Sequence, residues 1–327
     1  MPRSLRDFSP GALLHVVNHG QAHAPVFESA GDVDRLLSLL GWAVVEGWIR
    51  VLAYAVLATH FHVIVETPDG RLDAAMRRVQ AAFAIWRNRT RGRTGHVFKG
   101  RYFARPIRGD VDLAGTLDYI DRNPVSAGIV TRPDAYPYGS ARAYVDGGGP
   151  RWLARDPVEG LVCRLARTGR YSGASYPRLW EWAQRSGVRD MMARGPVPAL
   201  AEVPVLSRAG PTYVQAWMRE HLLREEGRSA DCLVLPGEAV LRLREGLPAE
   251  DGVAPVAGLL HSVAGWAVGE IARALGISRS AAARRVAEHR TRMSDGSDYA
   301  ARCARLVTAG LRQVFGPLLA SAWVTSA

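Results

Sequence analysis

Lysine is nearly missing from these 327 residues: Lys99 stands alone among 42 basic side chains. Cysteine is scarce too. Cys163, Cys232 and Cys303 are odd in number, far apart, and form no CxxC pair. That excludes a disulfide framework and a zinc knuckle, and it leads us to expect reduced thiols in a cytoplasmic protein. The N-terminal MPRSLRDFSPG has no apolar signal core. The longest apolar stretches, such as Trp48–Thr59, carry Arg50 and are too short to span a bilayer, so no membrane partner is expected. With 48% hydrophobic and 22% charged residues, the chain is neither a disordered tail nor a fibre.

What is abundant is arginine. Against 31 acidic residues the basic excess gives a net charge of +11. The planar guanidinium fork suits phosphate better than a point charge does, which points to a polyanionic partner, nucleic acid first. A basic enzyme from an arginine-favouring genome is the plainer explanation of the same numbers.

The first 130 residues alternate between strand and helix patterns. Ala12–Asn18 has strand length, and Asp32–Gly47 places Leu36, Leu37, Leu40 and Val44 at helical spacing. Ile49–Glu66 fits two strands reversing around Leu57–His60, and Leu72–Arg89 is again helical. His96–Pro106 predicts a loop and a short strand; Val111–Arg122 predicts a helix stopped by Asn123-Pro124. The order β-α-β-β-α-β describes an α+β fold, a ferredoxin-like split βαβ unit with an antiparallel sheet and its helices on one face, followed by a seventh element around Tyr119. Asp134–Pro150 is turn-rich, Arg151–Arg194 suggests short helices, and Arg194–Pro211, with four prolines, suggests a linker. The remainder is expected to be all-α. The expected division is 1–150, a connector and linker over 151–210, and a helical domain over 211–327. No internal repeat is present.

Four motifs carry candidate chemistry. His60 and His62 sit at i, i+2, which on a strand turns both imidazoles to one face; two such rings with an oxygen ligand can hold a divalent ion. Tyr119 and Asn123 are four apart, so they share a helix face. An amide oxygen from Asn123 can join the metal site while the Tyr119 oxygen attacks phosphorus. Arg87 to Arg101 interleaves Arg87, Arg89, Arg91, Arg93, Lys99 and Arg101 with glycines, and Phe98 or Tyr102 could stack on a base. Val268–Arg290 has the pattern of a helix-turn-helix: Ile271, Ala272 and Leu275 inside, Gly276 at the turn, Ser278 as N-cap, and Arg279, Ser280, Arg284 and Arg285 towards DNA. Ala282 stands where such units usually carry a larger apolar residue.

The segments LHVVNHGQAHAPVF, THFHVIVETP, GRTGHVFKGRYFA and LDYIDRNPVSAGIV, in that order, resemble the single-tyrosine HUH transposases, and among them the REP-associated tyrosine transposases. The resemblance covers roughly residues 10–145. It implies an HUH nuclease fold, His60 and His62 as metal ligands with Asn123 completing the site, Tyr119 as nucleophile, and Mg²⁺ or Mn²⁺ as the ion. It implies cutting and rejoining of single-stranded DNA at hairpins, REP-like or at transposon ends, through a 5′-phosphotyrosine. Thr59 and His19 depart from the residues common in that family. Duplex DNA is the partner expected for the helix-turn-helix, a nucleoid-associated cytoplasmic location follows, and monomer or homodimer stays open. Two other readings remain: a domesticated DNA-binding regulator, and a plasmid- or phage-type HUH nicking enzyme, against which the NPVSAG stretch speaks.

Overall fold

The computed structural model describes residues 9–193, 198–224, 233–247, 252–295 and 298–320. The chain divides into two compact units, Met1–Ile107 with Thr116–Trp180, and Arg108–Gly115 with Glu181–Ala327.

The first unit is built on strands β1 (Ala12–His19), β2 (Arg50–Val56), β3 (His60–Thr67) and β4 (Phe103–Pro106). They lie in the order β2-β3-β1-β4, and every neighbouring pair is antiparallel. Helix α1 (Ala30–Val45) leads from β1 to β2 with β3 between them; α2 (Leu72–Arg91) leads from β3 to β4 with β1 between them. The tight reversal expected at Leu57–His60 is closed by Leu57 N–H donating to the His60 carbonyl at 2.8 Å.

Alternation along β3 separates two tasks. Phe61, Val63 and Val65 are fully buried on one face, where Phe61 meets Phe27 at 6.3 Å and Phe98 at 6.0 Å between ring centroids. Phe83 of α2 joins the same aromatic cluster. Each such ring contributes about 1.5–3 kcal/mol by leaving water. His60 and His62 point the opposite way, and helix α3 (Gly109–Ser126) supplies the side chains that meet them.

Helix α3 does not stop at Asn123-Pro124. It runs on to Ser126, and the chain leaves it at Gly128, whose φ of +70° is left-handed. Gly128 N–H donates to Val125 O at 2.9 Å and Ile129 N–H to Pro124 O at 2.9 Å, a Schellman closure. A proline so near the C-terminal end removes only one late hydrogen bond, so the helix survives it. Asn123 is therefore a helical residue, not a cap.

The exposed side of β2 is covered by residues expected to be turns and connector. Val56 N–H donates to Tyr138 O at 3.0 Å, the Tyr144 hydroxyl donates to Leu52 O at 2.6 Å, and Ala154 N–H donates to Val51 O at 2.8 Å. Pairing an edge strand this way removes its open hydrogen-bonding groups. Tyr144 lies in α4 (Ser140–Asp146), a helix within the stretch expected to be only turns. Beyond it, α5 (Asp156–Ala166) and the first turn of α6 (Pro177–Arg185) belong to this unit, so its boundary falls at 180 and not 150.

The second unit is helical where described: α7 (Val188–Ala193), α8 (Val203–Arg208), α9 (Pro211–Arg224), α10 (Gly237–Arg242), α11 (Ala254–Ser262), α12 (Val268–Leu275), α13 (Arg279–Ser294) and α14 (Asp298–Ala320). The stretch expected as a linker thus contains α8 and a 3-10 turn at Pro198–Glu202; residues 194–197 lie outside the described ones. Helix α11 packs on α13 closely enough that a Cβ on Gly258 would stand 1.9 Å from His289 Cγ.

Candidate active site

One face of the sheet carries four of the chain's nine histidines, and a fifth, His23, follows in the 3-10 turn after β1. On β3, His60 and His62 have ring centroids 5.0 Å apart. On β1, His15 and His19 stand on the same face, since His19 pairs with His60 and Val17 with His62. His19 stacks on His60 at 4.9 Å, and His23 meets His19 edge-on at 5.4 Å. His23 and its neighbour Ala22 both hold positive φ, 59° and 50°, a costly backbone for residues other than glycine.

Helix α3 brings the other two candidates. Asn123 Oδ1 lies 3.3 Å from His60 Nε2. The Tyr119 ring centroid lies 5.5 Å from that of His62 and 6.0 Å from that of His15. One helix face thus meets one strand face, pairing Tyr119 with His62 and Asn123 with His60.

The hydrogen bonds around these rings leave the right atoms open. His62 Nδ1 is 3.0 Å from His15 Nε2, and His60 Nδ1 is 3.0 Å from the Thr59 hydroxyl. His62 Nε2 is buried and has no partner. With the proton on each Nδ1, the His62 Nε2 lone pair is free and that of His60 faces the Asn123 amide oxygen, two acceptors that would need a cation between them. Burial lowers the pKa of His60 and His62, and the neighbouring histidines lower both further. Burial first, then the Arg105 charge, takes His15 down to about 3. Neutral imidazoles are the metal-binding form. Two imidazole nitrogens and one amide oxygen therefore fit a divalent ion with positions left for substrate. Among the described residues no group of three His, Cys, Asp or Glu is arranged to hold a metal ion; the third donor here is an amide.

The chain is similar to a REP-associated tyrosine transposase. A curated relative from Haemophilus influenzae, which carries REP-associated tyrosine transposase in its name, is 30% identical over 102 residues, 28% of this chain and 58% of the relative. The chain spans less than two thirds of that relative's length. A solved structure described as a REP-associated tyrosine transposase bound to a REP hairpin is 22% identical, covering 47% of this chain and 92% of its own, with a TM-score of 0.38. No family model matches.

The basic stretch Arg87 to Arg101 does not present all its arginines to solvent. Arg87 is buried, donating to Val26 O, Pro25 O and Glu28 at 2.8–2.9 Å. Arg91 clasps the fully buried Asp32 with both ends of its guanidinium, at 2.8 and 2.6 Å. Both guanidinium groups are engaged at the entry to α1, where Ser29 and Asp32 form a capping box. Arg89, Arg93, Lys99 and Arg101 are exposed. Phe98 and Tyr102, expected as base-stacking rings, are buried, Phe98 in the aromatic core and Tyr102 with its hydroxyl on Asp73.

In the second unit, Arg279, Ser280, Arg284 and Arg285 are all exposed on α13. Gly276 takes the left-handed conformation at φ 65°, and the Ser278 hydroxyl accepts from Ala281 N–H at 3.1 Å. Ile271 and Ala272 are buried as expected; Leu275 is only half-buried. Ala282 is fully buried.

Sequence reasoning missed His15 altogether. Its signal was the spacing of His15, His19 and His23, four apart, which only the β1–β3 register turns into a wall of imidazoles.

Proposed function

We propose that this protein is a metal-dependent transposase that cuts and rejoins single-stranded DNA at hairpin-bearing sites through Tyr119. The observation that carries the reading is the meeting of α3 and β3, Asn123 with His60 at 3.3 Å and Tyr119 with His62 at 5.5 Å between ring centroids. The strand order, with its two interleaved crossovers, supports a ferredoxin-like HUH nuclease fold.

His60, His62 and Asn123 would hold the ion. When bound, it would supply positive charge to a phosphoryl oxygen. Two imidazoles favour Mn²⁺ over Mg²⁺, which prefers oxygen. Tyr119 then acts on the scissile phosphate. Its oxygen forms a bond to phosphorus, the bond from phosphorus to the 3′ oxygen breaks, and that oxygen leaves as a 3′-OH after taking a proton. The phenol proton passes to solvent. One phosphodiester replaces another, so the 5′-phosphotyrosine keeps the energy needed for rejoining to a new 3′-OH. Exposed Arg89, Arg93, Lys99 and Arg101 would grip the strand by its phosphates. Helices α12 and α13 would act as a helix-turn-helix, adding duplex affinity through Arg279, Arg284 and Arg285.

The test is incubation with labelled single-stranded hairpin DNA from the flanks of the gene, with and without Mn²⁺. An SDS-resistant adduct that needs Mn²⁺ and disappears in Tyr119→Phe is expected. An adduct that persists in Tyr119→Phe, or in EDTA, would remove the proposal.

A further inference from the structure

We infer that Phe103 is a stacking platform for one unpaired base beside the cleaved phosphate. This rests on the single-strand reading above and goes beyond it by naming a residue that the strand's base would touch.

Phe103 opens β4, the edge strand. It pairs with Val17 on β1, and Val17 pairs in turn with His62 on β3. Residues paired across antiparallel strands point to one face. Phe103 therefore emerges on the histidine face, two strand spacings from His62, about 10 Å. It is 51% exposed, a large apolar ring left in water beside a buried polar site.

Helix α3 explains why it is left open. Two residues further along, on the same face, Arg105 is buried and donates to Thr116 Oγ1 of α3 at 2.7 Å. The next contacts of α3 fall on His15 and His62 through Tyr119, and on His60 through Asn123. The helix covers β1 and β3 and leaves the start of β4 uncovered.

The charge beside the ring suits a nucleic-acid strand. Lys99 and Arg101 are exposed in the turn that leads into β4. That turn is tied to the end of β1 where His19 stacks on His60: Lys99 N–H donates to His19 O at 2.9 Å, and the Asn18 amide donates to Gly100 O at 3.0 Å. Cationic groups that follow a backbone, next to an open aromatic ring, are what single-stranded nucleic acid binds. A paired duplex would offer this ring no free base face.

The test uses the full chain and a single-stranded hairpin oligonucleotide with 2-aminopurine placed in turn at each nucleotide around the cut. Wild-type protein should quench one flanking position. Phe103→Ala should abolish that quench and raise Kd by about 5- to 150-fold, the usual worth of one stacked base. The loss should fall on KM more than on kcat. Phe103→Trp should restore both quench and affinity, which a merely structural role would not predict. If wild type binds and cuts but Phe103→Ala keeps its quench and Kd, or Phe103→Trp fails to restore them with the fold intact by circular dichroism, the inference is wrong. If wild type neither binds nor cuts the strand, the parent reading falls and takes this one with it.

Discussion

His15 Nε2 lies 3.0 Å from His62 Nδ1, with both rings buried and stacked at 5.2 Å. Because burial keeps His15 neutral, its Nε2 can accept the His62 Nδ1 proton, which turns the His62 Nε2 lone pair outward. On the metal-dependent reading proposed above, His15 would be a positioning residue for His62. His15→Phe should weaken Mn²⁺ binding by about 10- to 100-fold while cutting recovers at high Mn²⁺. A Mn²⁺ titration of adduct formation checks it; an unchanged midpoint would refute the role.

Under the proposed function, Tyr119 and Asn123 share a helix face but not a task. Tyr119→Phe should lose the covalent adduct and keep hairpin affinity, since phosphate contacts dominate binding. Asn123→Ala should keep the nucleophile and lose the ion, so its residual cutting should rise steeply with added Mn²⁺. Parallel Mn²⁺ titrations separate them. Equal metal responses in the two variants would count against the division.

Much of this was legible because local patterns and tertiary needs agree. The i, i+2 histidines, the i, i+4 Tyr119 and Asn123, and the β-α-β-β-α-β order all follow from periodicity, and β1, β2 and β3 came out within a residue or two. What stayed hidden depends on partners far away in sequence. Arg87 and Arg91 look like their exposed neighbours until the fold places Glu28, just before α1, and Asp32, in its first turn, beside them. Phe98 and Phe103 are both aromatics in a basic stretch, yet one is core and one is surface. Only the packing of Phe61 and Phe83, and the position of β4, tell them apart.

The two kinds of arginine in that stretch can be separated by experiment. Arg91→Ala would strip the buried Asp32 of its cation and should cost about 3 kcal/mol in urea unfolding. Arg93→Ala should change stability by no more than about 0.5 kcal/mol. It should instead lower the salt dependence of single-strand binding by about 0.7 in the log–log slope. Finding the salt effect in Arg91 and the stability effect in Arg93 would reverse the assignment.

Asp121 Oδ2 accepts from both the Tyr176 hydroxyl and Trp180 Nε1, each at 2.9 Å. Burial raises this carboxyl to about 7. Two donors from residues beyond 150 therefore serve one oxygen of a buried carboxyl on the helix that carries Tyr119; its other oxygen, Oδ1, has no partner among the described residues. A fragment ending at 150 should fail to fold, and Trp180→Phe should cost the full chain about 1–3 kcal/mol. Urea unfolding of Trp180→Phe and the solubility of fragments 1–150 and 1–195 give the answer; a folded, stable 1–150 fragment would contradict it.

His289 gives the second unit a predictable response to acid. Its ring is wholly buried under Gly258, with Nδ1 2.7 Å from the Tyr299 hydroxyl. Burial, followed by the charges of Arg292, His261 and Arg290, lowers its pKa from 6.5 to about 3. Between those values the unfolded chain binds a proton that the folded chain refuses, so stability rises with pH there. The contribution is complete above about pH 6.5 and is lost as pH falls towards 3, by up to about 1.4 kcal/mol per unit. His289→Gln can still accept from the Tyr299 hydroxyl but takes no proton. Its unfolding free energy should therefore fall less between pH 7 and pH 5 than that of the wild type. Urea unfolding of both proteins at the two pH values makes the comparison, and parallel losses would show that His289 does not set the acid response.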